Sequence, residues 1–446
     1  MTPATQPGRL WLFFFSLPQA PLLALSLALI VFLPPHFATE LAMPLAEVSA
    51  LFLSVRLFDV AIGPFLGQAQ DATQTPIGRR RFWLAGAALA AVLFIWLGFA
   101  GLGAPLRWPT GLIVLLALYA SSGAAMIAHL SWAGELRQDY HGRTIVLGAV
   151  QAAGTAGQLL LLALAALVAW DAAGDEGASV RAIGAALSLS LPICVALAVL
   201  IVREAPNPPR VSLGLDETLA LLGANAPLRI VLGASLILGI AQGVSGGLFL
   251  FFFAYRLDFE AQANLLLLLY FVGGLAGVPL WVWLGKRLGK HRALQLACLL
   301  SAVATSCAPL VPAGVLAVAA PAMVVAGTNV GAGVFLIRAM MADVVDEDEM
   351  ATGAQRSGLL FGLLLTATKL GITVSPASYA ALALFGFEAS LGAANAPEAM
   401  RALDVIFVGG PVLFYLCVAI MLRNFPIDEA RQRALRTAID QRRAHR

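Results

Sequence analysis

The stretch RLFDVAIGP, residues 56–64, places two charges inside an otherwise apolar segment. The run around it, from Pro44 to Gly67, is almost wholly apolar and long enough to cross about 30 Å of hydrocarbon as a helix. Within a bilayer, Arg56 and Asp59 would each cost about 2.5 to 3.5 kcal/mol on insertion scales. Because charges kept at that cost usually serve a function, the stretch predicts a functional site within a transmembrane helix.

The composition of the whole chain extends this prediction to the entire protein. Of 446 residues, 60% are hydrophobic and only 12% are charged, and the mean hydropathy is +0.86. A water-soluble domain of this length does not tolerate such a composition on its surface. The sequence therefore predicts an all-α, polytopic protein integral to the plasma membrane, which in a bacterium is the inner membrane.

Apolar runs separated by polar breaks predict twelve transmembrane helices, at residues 10–33, 44–68, 82–103, 109–132, 144–170, 178–202, 227–255, 261–285, 290–311, 313–340, 357–385 and 401–424. The longest polar break is rich in proline and divides six spans from six. The predicted domains are an N-terminal six-helix half at 1–202, a cytoplasmic linker at 203–226, a C-terminal six-helix half at 227–424 and a basic cytoplasmic tail at 425–446.

The distribution of Lys and Arg predicts the orientation. Most of these residues fall in alternate loops and in the C-terminal tail, while the opposite side receives only Arg107, Arg181, Arg256 and Arg401. Positive charge is retained on the cytoplasmic side, so both termini are expected in the cytoplasm. The same asymmetry explains the sequence pI near 8.8, and we expect no nucleic-acid partner.

The two halves resemble each other weakly in sequence. Gly78-Arg79-Arg80-Arg81, after the second span, is echoed after the eighth by Gly285-Lys286-Arg287 and by Gly289-Lys290-His291-Arg292. Parallel six-helix halves around a central cavity are a transporter architecture. Short basic loops on the cytoplasmic side also arise by chance, so the echo alone leaves both explanations open.

Three charged residues within spans are the candidates for coupling transport to a cation. Arg56 and Asp59 are three residues apart and share a helix face, where they can pair. Lys369 lies in the eleventh span, in the second half, and Asp59 is its most available counter-ion if the halves face each other. The alternatives are a structural ion pair at Arg56 and a Lys369 side chain that reaches the membrane interface.

Two further groups of residues are candidates for solute binding and gating. Polar or aromatic side chains within the spans are expected to line a substrate cavity: Gln19, Trp132, His129, Gln242, Asn329 and Thr366. Trp132 equally fits an interfacial tryptophan. Charged residues at the cytoplasmic ends are expected to form a gate: Asp71, Arg79, Arg80, Arg81, Glu135, Asp139, Arg143, Asp343, Asp346 and Arg356. The acidic run from Glu347 to Glu349 is expected to be a solvated face.

The chain shows no arrangement typical of an enzyme or of a bound metal. Its four cysteines lie inside apolar runs without ligand spacing. No Ser/His/Asp or paired-carboxylate arrangement falls in a plausible membrane cavity. We therefore expect neither an enzyme activity nor a cofactor, and no metal site.

The order of these motifs resembles the glycoside/pentoside/hexuronide:cation symporter family of the major facilitator superfamily. The resemblance runs through nearly the whole chain and rests on Arg56-Leu57-Phe58-Asp59 with Pro64 and Gly67, Asp71 with Gly78-Arg79-Arg80-Arg81, Glu135 to Thr144, Ala342 to Asp346, and Lys369-Leu370-Gly371. It implies the major facilitator fold, with twelve helices in two pseudo-symmetric halves. By resemblance, Asp59 matches a carboxylate of the family's cation site, and Lys369 matches the lysine facing it.

The chain departs from the family pattern at the expected ion and sugar sites. The family's second span typically carries another Asp directly before the proline, where this chain has Gly63. A sodium site requires several hard oxygen ligands, whereas a single carboxylate can load and release a proton. The stretch from Ala125 to His129 also lacks a carboxylate to accept sugar hydroxyls.

The sequence therefore predicts a secondary transporter that works by alternating access. We expect a symporter of a glycoside-like or other small organic solute, coupled to H+ in preference to Na+, acting as a monomer in the lipid bilayer. The alternatives are a carrier of amphipathic molecules such as lysolipids and a non-transporting membrane assembly factor on the same fold.

Overall fold

The structure is a computed structural model of the chain, and it describes residues 9–33, 36–37, 45–100, 108–137, 139–171, 176–204, 222–259, 262–354, 356–387 and 393–444. Regular secondary structure in these ranges is helical. Helices α1 to α7 span Arg9–Ser16, Gln19–Val31, Leu45–Ala72, Arg79–Ile95, Trp108–Leu136, Tyr140–Asp171 and Glu176–Ile201. Helices α8 to α12 span Ala226–Phe251, Ala263–Leu288, Lys290–Cys307, Leu316–Gly327 and Val330–Thr352. Helices α13 to α17 span Ser357–Ile372, Ser375–Leu384, Pro397–Asp404, Gly410–Met421 and Glu429–Ala444.

The helices confirm the predicted fold class. Within the described residues, 11 helical segments are long and apolar enough to cross a membrane, and each coincides with one predicted span. The remaining predicted span, 357–385, consists of α13 and α14 with a break between them. Short π-helical stretches extend three helices, at Trp96–Ala100, Phe252–Arg256 and Val405–Gly409.

Several helices extend beyond the predicted spans, and the extensions of α6 and α12 correct the loops assigned there. Helix α6 begins at Tyr140, and α12 continues to Thr352. Residues predicted in cytoplasmic loops, Arg143 and Asp343 among them, therefore lie on helices. The continuation of α12 follows from its packing, because Met340, Met341 and Val344 are fully buried. Burying these side chains stabilises helix where the charge pattern alone suggested a loop.

The chain divides into two compact units. The first comprises Met1–Gln138, Ala149–Ser212 and Ala354–Gly362, and the second comprises Asp139–Gly148, Leu213–Gly353 and Leu363–Arg446. The first unit thus takes in the beginning of α13, and the second takes in the beginning of α6. The predicted halves follow chain order and did not anticipate these short segments.

In the first unit, glycines allow α3 and α13 to approach closely. A Cβ added at Gly67 would overlap the backbone carbonyl of Gly358, and one added at Gly362 would lie 2.7 Å from the carbonyl oxygen of Gly63. Only residues without a side chain permit this backbone contact. Because the contact fixes the beginning of α13 on α3, it brings Ser357 to the charged end of the unit.

Candidate functional site

Asp59 lies in the middle of α3 and faces α5. It is buried at 5% exposure, and a Cβ placed at Gly123 would lie 3.9 Å from Asp59 Oδ1. One turn earlier on α5, the Tyr119 hydroxyl accepts a hydrogen bond from half-buried Arg56. The structure therefore places both charges of the opening stretch against one face of α5. A carboxylate held there can take up a proton or a cation.

Lys369 lies in the last turn of α13 and is half-buried. It belongs to the second unit, whereas Asp59 belongs to the first. That the two residues face each other stays a prediction from the family resemblance.

Three of the predicted cavity residues form a buried cluster in the first unit. His129 Nδ1 and Gln19 Oε1 are 3.0 Å apart, and His129 Nε2 is 2.8 Å from the Phe15 carbonyl oxygen. Trp132, at 1% exposure, packs edge-on against the Phe15 ring at a centroid distance of 5.1 Å. In this conformation the two ring nitrogens of His129 contact Gln19 and the Phe15 carbonyl, and Trp132 is covered by the Phe15 ring. Contact of these side chains with a solute stays a prediction.

The second unit contains a partly open cavity of about 290 Å³. Gln242 and Asn329, two of the predicted cavity residues, line it. Thr366 is not among its lining residues, but Thr368 of the same helix is. The walls come mainly from α8, α10 and α12, and most of the lining is apolar or aromatic.

The predicted gate residues form two separate clusters, one in each unit. The first-unit cluster consists of Asp71, Arg79, Arg80, Glu135 and Ser357. Arg80 Nη2 lies 2.6 Å from Asp71 Oδ1 and 3.1 Å from Glu135 Oε1, and Arg79 pairs with Glu135 at 2.7 Å. Asp71 also accepts hydrogen bonds from the backbone N–H groups at the start of α13, those of Gly358 at 3.1 Å and Leu359 at 2.9 Å.

Ser357 completes the first-unit cluster. Arg80 donates to the Ser357 hydroxyl at 2.6 Å, and this hydroxyl donates in turn to Glu135. Arg80 is fully buried, so nearly all of its charge must be compensated inside the protein. The carboxylates of Asp71 and Glu135 supply that compensation.

The second-unit cluster consists of Tyr140, Arg143, Lys290, Asp343, Asp346 and Arg436. Arg143 binds Asp346 through both terminal nitrogens, at 2.7 and 2.9 Å, and Asp343 at 3.0 Å. Lys290 is buried at 1% exposure and lies 2.5 Å from Asp343. The Lys290 ammonium also sits 3.9 Å from the centre of the Tyr140 ring, a favourable cation–π geometry.

Helix α17 closes this cluster from the C-terminal tail. Arg436 lies 3.3 Å from Asp346, and buried Gln432 donates to the same carboxylate at 3.3 Å. The predicted basic tail therefore contains a helix that packs on α12. It contributes directly to the charged cluster.

The other predicted gate residues lie at the edges of these clusters. Arg81 donates to the Val199 carbonyl at 2.6 Å, and Asp139 accepts from the Gly142 N–H at 2.7 Å at the start of α6. Arg356 is buried at 7% exposure beside Ser357. The expectation of a solvated acidic face is wrong for Asp348 and Glu349, which are 1% and 8% exposed because α12 continues through them.

Glu204, a residue the sequence analysis did not single out, holds the beginning of α4. Its carboxylate accepts hydrogen bonds from the backbone N–H groups of Arg80, at 2.9 and 3.1 Å, and Arg81, at 3.1 Å. Burial raises the pKa of the Glu204 carboxyl, although these backbone hydrogen bonds oppose the rise. The group is therefore an N-terminal cap supplied by the first residues of the linker.

The structure gives the weak sequence repeat a geometric basis. Gly78 and Gly289 precede α4 and α10 with similar backbone angles, φ 96° and ψ 142° against φ 86° and ψ 155°. The next residue in each unit, Arg79 or Lys290, pairs with a carboxylate. Because other side chains rarely adopt these positive φ angles, glycine is required at both turns.

Lys290, Ser357 and Arg338 were missed as functional candidates. Lys290 follows the echoed glycine, which was the available signal. Ser357 carries no sequence signal, since only the glycine contact of α13 brings it to Arg80. Arg338 lies near the end of the predicted span 313–340; the structure places it inside α12 at 8% exposure, in the lining of the second unit's cavity.

Comparison with known proteins agrees with this architecture. The chain is 25% identical over 409 residues to the isoprimeverose transporter of Lactiplantibacillus pentosus, covering 87% of this chain and 83% of that protein. It is 24% identical over 255 residues to the human sodium-dependent lysophosphatidylcholine symporter 1, covering 55% of this chain and 46% of that protein. The structure of the proton:xylose symporter XylE bound to 6-bromo-6-deoxy-D-glucose superposes with a TM-score of 0.66 at 16% identity, covering 96% of this chain and 98% of XylE.

The chain also matches a family of transporters over nearly its whole length. Residues 14–429 match the family described as MFS/sugar transport protein. The match reaches all 11 long apolar helices of the described residues, and it includes the first-unit cluster and the second-unit cluster except Arg436. The family is one of transporters and not of enzymes. The protein is therefore an integral membrane transporter that belongs to the MFS/sugar transport protein family.

Proposed function

We propose that the protein is a cation-coupled symporter that moves a small glycoside-like solute by alternating access. The observation that carries the coupling is buried Asp59, held within a membrane span against α5. A carboxylate in such a place is costly unless it binds a cation or a proton. The similarity to the isoprimeverose transporter supports the solute class.

Protons are the preferred coupling ion in this proposal. Gly63 stands one turn after Asp59, where a second carboxylate would add oxygen ligands. Sodium is a hard cation that favours several oxygens, while a proton needs only one basic group. Lys369 would then compete with the proton for the charge of Asp59 when the halves face each other.

The decisive experiment compares Asp59→Asn with the wild type in proteoliposomes. We expect a pH gradient to accelerate solute uptake several-fold in the wild type and to have no effect on the variant. Exchange of labelled for unlabelled solute should continue in the variant, since it needs no net movement of protons.

A matched control is Asp404→Asn, which removes a half-buried carboxylate paired with Arg256 at 3.0 Å. It should keep the response to the gradient. If Asp59→Asn keeps that response too, the assigned role of Asp59 is wrong. If a sodium gradient drives wild-type uptake and a pH gradient does not, the preference for protons is wrong.

A second candidate function is a carrier of amphipathic molecules. It is favoured by the largely apolar cavity of the second unit and by the similarity to the lysophosphatidylcholine symporter. Uptake of a lysolipid, with no uptake of any water-soluble glycoside, would establish this function. Uptake of a water-soluble glycoside, with no uptake of a lysolipid, would exclude this function.

The proposal also covers the membrane, the orientation of the termini and the oligomeric state of the protein. We propose a monomer in a bacterial inner membrane with both termini in the cytoplasm, which the excess of Lys and Arg in alternate loops supports. Single cysteines placed in α17 should be labelled by a membrane-impermeant thiol reagent only in inverted vesicles. Light scattering of the purified protein should give the mass of one chain, 46.6 kDa, after subtraction of detergent.

A further inference from the structure

Four cations lie close together around the turn between α9 and α10: Lys286, Arg287, Lys290 and Arg292. Lys290 is buried and pairs with Asp343 in the second-unit cluster. The other three are exposed, and within the described residues none of them forms an ion pair with a carboxylate. The second-unit cluster therefore uses one cation of this turn and leaves three positive charges at the surface.

The corresponding turn of the first unit, before α4, uses its cations differently. Arg79 and Arg80 pair with the carboxylate of Glu135, and Arg81 donates to the Val199 carbonyl. All three arginines of that turn thus bind groups of the protein itself. The surface charge of the α9–α10 turn is therefore a separate feature, which the repeat of the two turns does not explain.

One of the exposed cations, Arg287, lies over an exposed tryptophan. Its guanidinium is 5.1 Å from the centre of the Trp283 ring, and Trp283 is 51% exposed. Both residues stand near the end of Leu265–Leu288, a segment long and apolar enough to cross the membrane. Tryptophan near the end of a span marks the boundary between hydrocarbon and headgroups, so Arg287 lies at the level of the lipid phosphates.

The outer face of α9 is non-polar farther into the span. Leu280, two turns before Arg287 on the same face, is 48% exposed. The opposite face carries Val278, which packs toward α6: a Cβ added at Gly148 would lie 3.7 Å from Val278 Cγ1. Since that face meets protein, the exposed face that ends at Arg287 meets the hydrocarbon of the membrane.

Helix α10 has the same arrangement. Arg292 stands at its beginning, and Leu299 and Val303 follow on the same face, about two and three turns farther along. Both of these apolar side chains are exposed. Each helix therefore has a non-polar outer face that ends at a cation of the turn. A molecule with acyl chains and an anionic headgroup complements this surface in both polarity and charge.

We propose that the α9–α10 turn binds an anionic phospholipid of the surrounding membrane. Lys286, Arg287 and Arg292 hold the headgroup phosphate, and the acyl chains lie along the outer faces of α9 and α10. An anionic headgroup is favoured over a zwitterionic one, because the ammonium of a zwitterionic headgroup is repelled by the three cations. The inference requires only that α9 and α10 cross the membrane, and it is independent of the solute and of the coupling ion.

The test measures by native mass spectrometry which lipids stay bound to the full-length protein after its extraction from vesicles. The vesicles contain equal amounts of dioleoyl phosphatidylglycerol and dioleoyl phosphatidylcholine, which have identical acyl chains. We expect the wild type to retain phosphatidylglycerol in preference, by up to about a hundredfold, since each surface cation contributes about fivefold. The combined variant Lys286→Gln, Arg287→Gln, Arg292→Gln should lose this preference.

Single variants separate the role of charge from that of structure. Arg287→Gln should lower the preference about fivefold, whereas Arg287→Lys keeps the charge and should retain most of it. Arg401→Gln removes an arginine that is exposed but paired with Glu398 and should leave the preference unchanged. Trp283→Ala should weaken retention of phosphatidylglycerol about twofold to fivefold, while Trp96→Ala, at a tryptophan 59% exposed in the first unit, should not.

Each outcome decides for or against the lipid site. Equal retention of the two lipids by the wild type overturns the inference. So does an unchanged preference in the combined variant. If the combined variant does not fold, the Arg287 pair decides, and equal preferences in Arg287→Gln and Arg287→Lys overturn the inference. Excess inorganic phosphate should not displace the bound phosphatidylglycerol; if it does, the turn binds a free anion and the assignment to a lipid is wrong.

Discussion

The first-unit and second-unit clusters bury similar charges by different means. In the first, Asp71 is held by two backbone N–H groups at the start of α13 as well as by Arg80. In the second, Asp343 and Asp346 are held by side chains, chiefly Arg143 and Lys290. The first arrangement depends on a close backbone approach, whereas the second depends on the number of cations. The two clusters should therefore respond differently to substitution.

The largest difference is expected when one carboxylate is removed from each cluster. Asp343→Ala leaves the buried Lys290 ammonium without its nearest anion and should lower the free energy of unfolding by about 3 to 5 kcal/mol. Asp71→Ala should cost less, because Glu135 still pairs with both Arg79 and Arg80. Reversible unfolding in mixed micelles measures both values, with exposed Glu398→Gln as the control. Equal losses would contradict the distinction drawn between the clusters.

The repeated glycines give the next largest effect. Gly78→Ala and Gly289→Ala each force a side chain into a positive φ angle and should cost about 1 to 3 kcal/mol. Gly78→Ala should be the worse of the two, since its Cβ would overlap the Glu204 carboxylate, whereas at Gly289 the nearest atom is the Tyr140 hydroxyl at 3.3 Å. Thermal unfolding of the purified protein ranks them. Gly86→Ala, where the added Cβ meets nothing, is the control and should be neutral or stabilising.

A smaller effect is expected from the tail helix. Arg436→Gln removes a cation 3.3 Å from Asp346, but Arg143 still holds that carboxylate, so the loss should be about 1 kcal/mol. Arg433→Gln, on the exposed side of α17, should change the stability by less. The same unfolding assay compares them. If the two variants behave alike, α17 is not part of the second-unit cluster in solution.

The smallest effect is a pH dependence at Glu204. A pKa raised by burial means that the folded state holds this proton more tightly than the unfolded state. Stability from the group is therefore lost as the pH rises above the ordinary value of about 4.3 toward the raised value. The melting temperature of the wild type should fall relative to Glu204→Gln across that interval. If the melting temperatures of the two proteins change with pH in the same way, the effect of burial on Glu204 is contradicted.

Much of the architecture was predictable because membrane spans and family motifs can be recognised from short stretches of sequence. The apolar runs gave the helices, and the motifs from Arg56 to Lys369 gave the family. The helix ends were less predictable, since α12 continues through an acidic stretch in which Arg143 and Lys290 compensate the charges of Asp343 and Asp346. Those partners come from distant parts of the chain, and no local sequence pattern predicts these ion pairs.

The candidate site residues also differ in whether the local sequence or only the tertiary structure identifies them. Asp59 was singled out because it is an acidic residue, three positions after Arg56, in an otherwise apolar run. Arg338 was overlooked because it lies near the predicted end of a span and resembles a loop charge. Its role as cavity lining depends on helices α8 and α10, which only the folded structure brings beside it.

The break between α13 and α14 affects the energetics of Lys369. Helix α13 ends at Ile372, so Lys369 stands in its last turn, where its carbonyl oxygen accepts hydrogen bonds from the Thr373 N–H at 3.0 Å and the Thr373 hydroxyl at 2.8 Å. The dipole of a helix is negative at this end and stabilises a nearby cation by about 0.3 to 1 kcal/mol. An interruption in the middle of a span thus acts as a fractional counter-ion. In the proposed transport cycle, Lys369 would therefore depend less on a carboxylate from elsewhere.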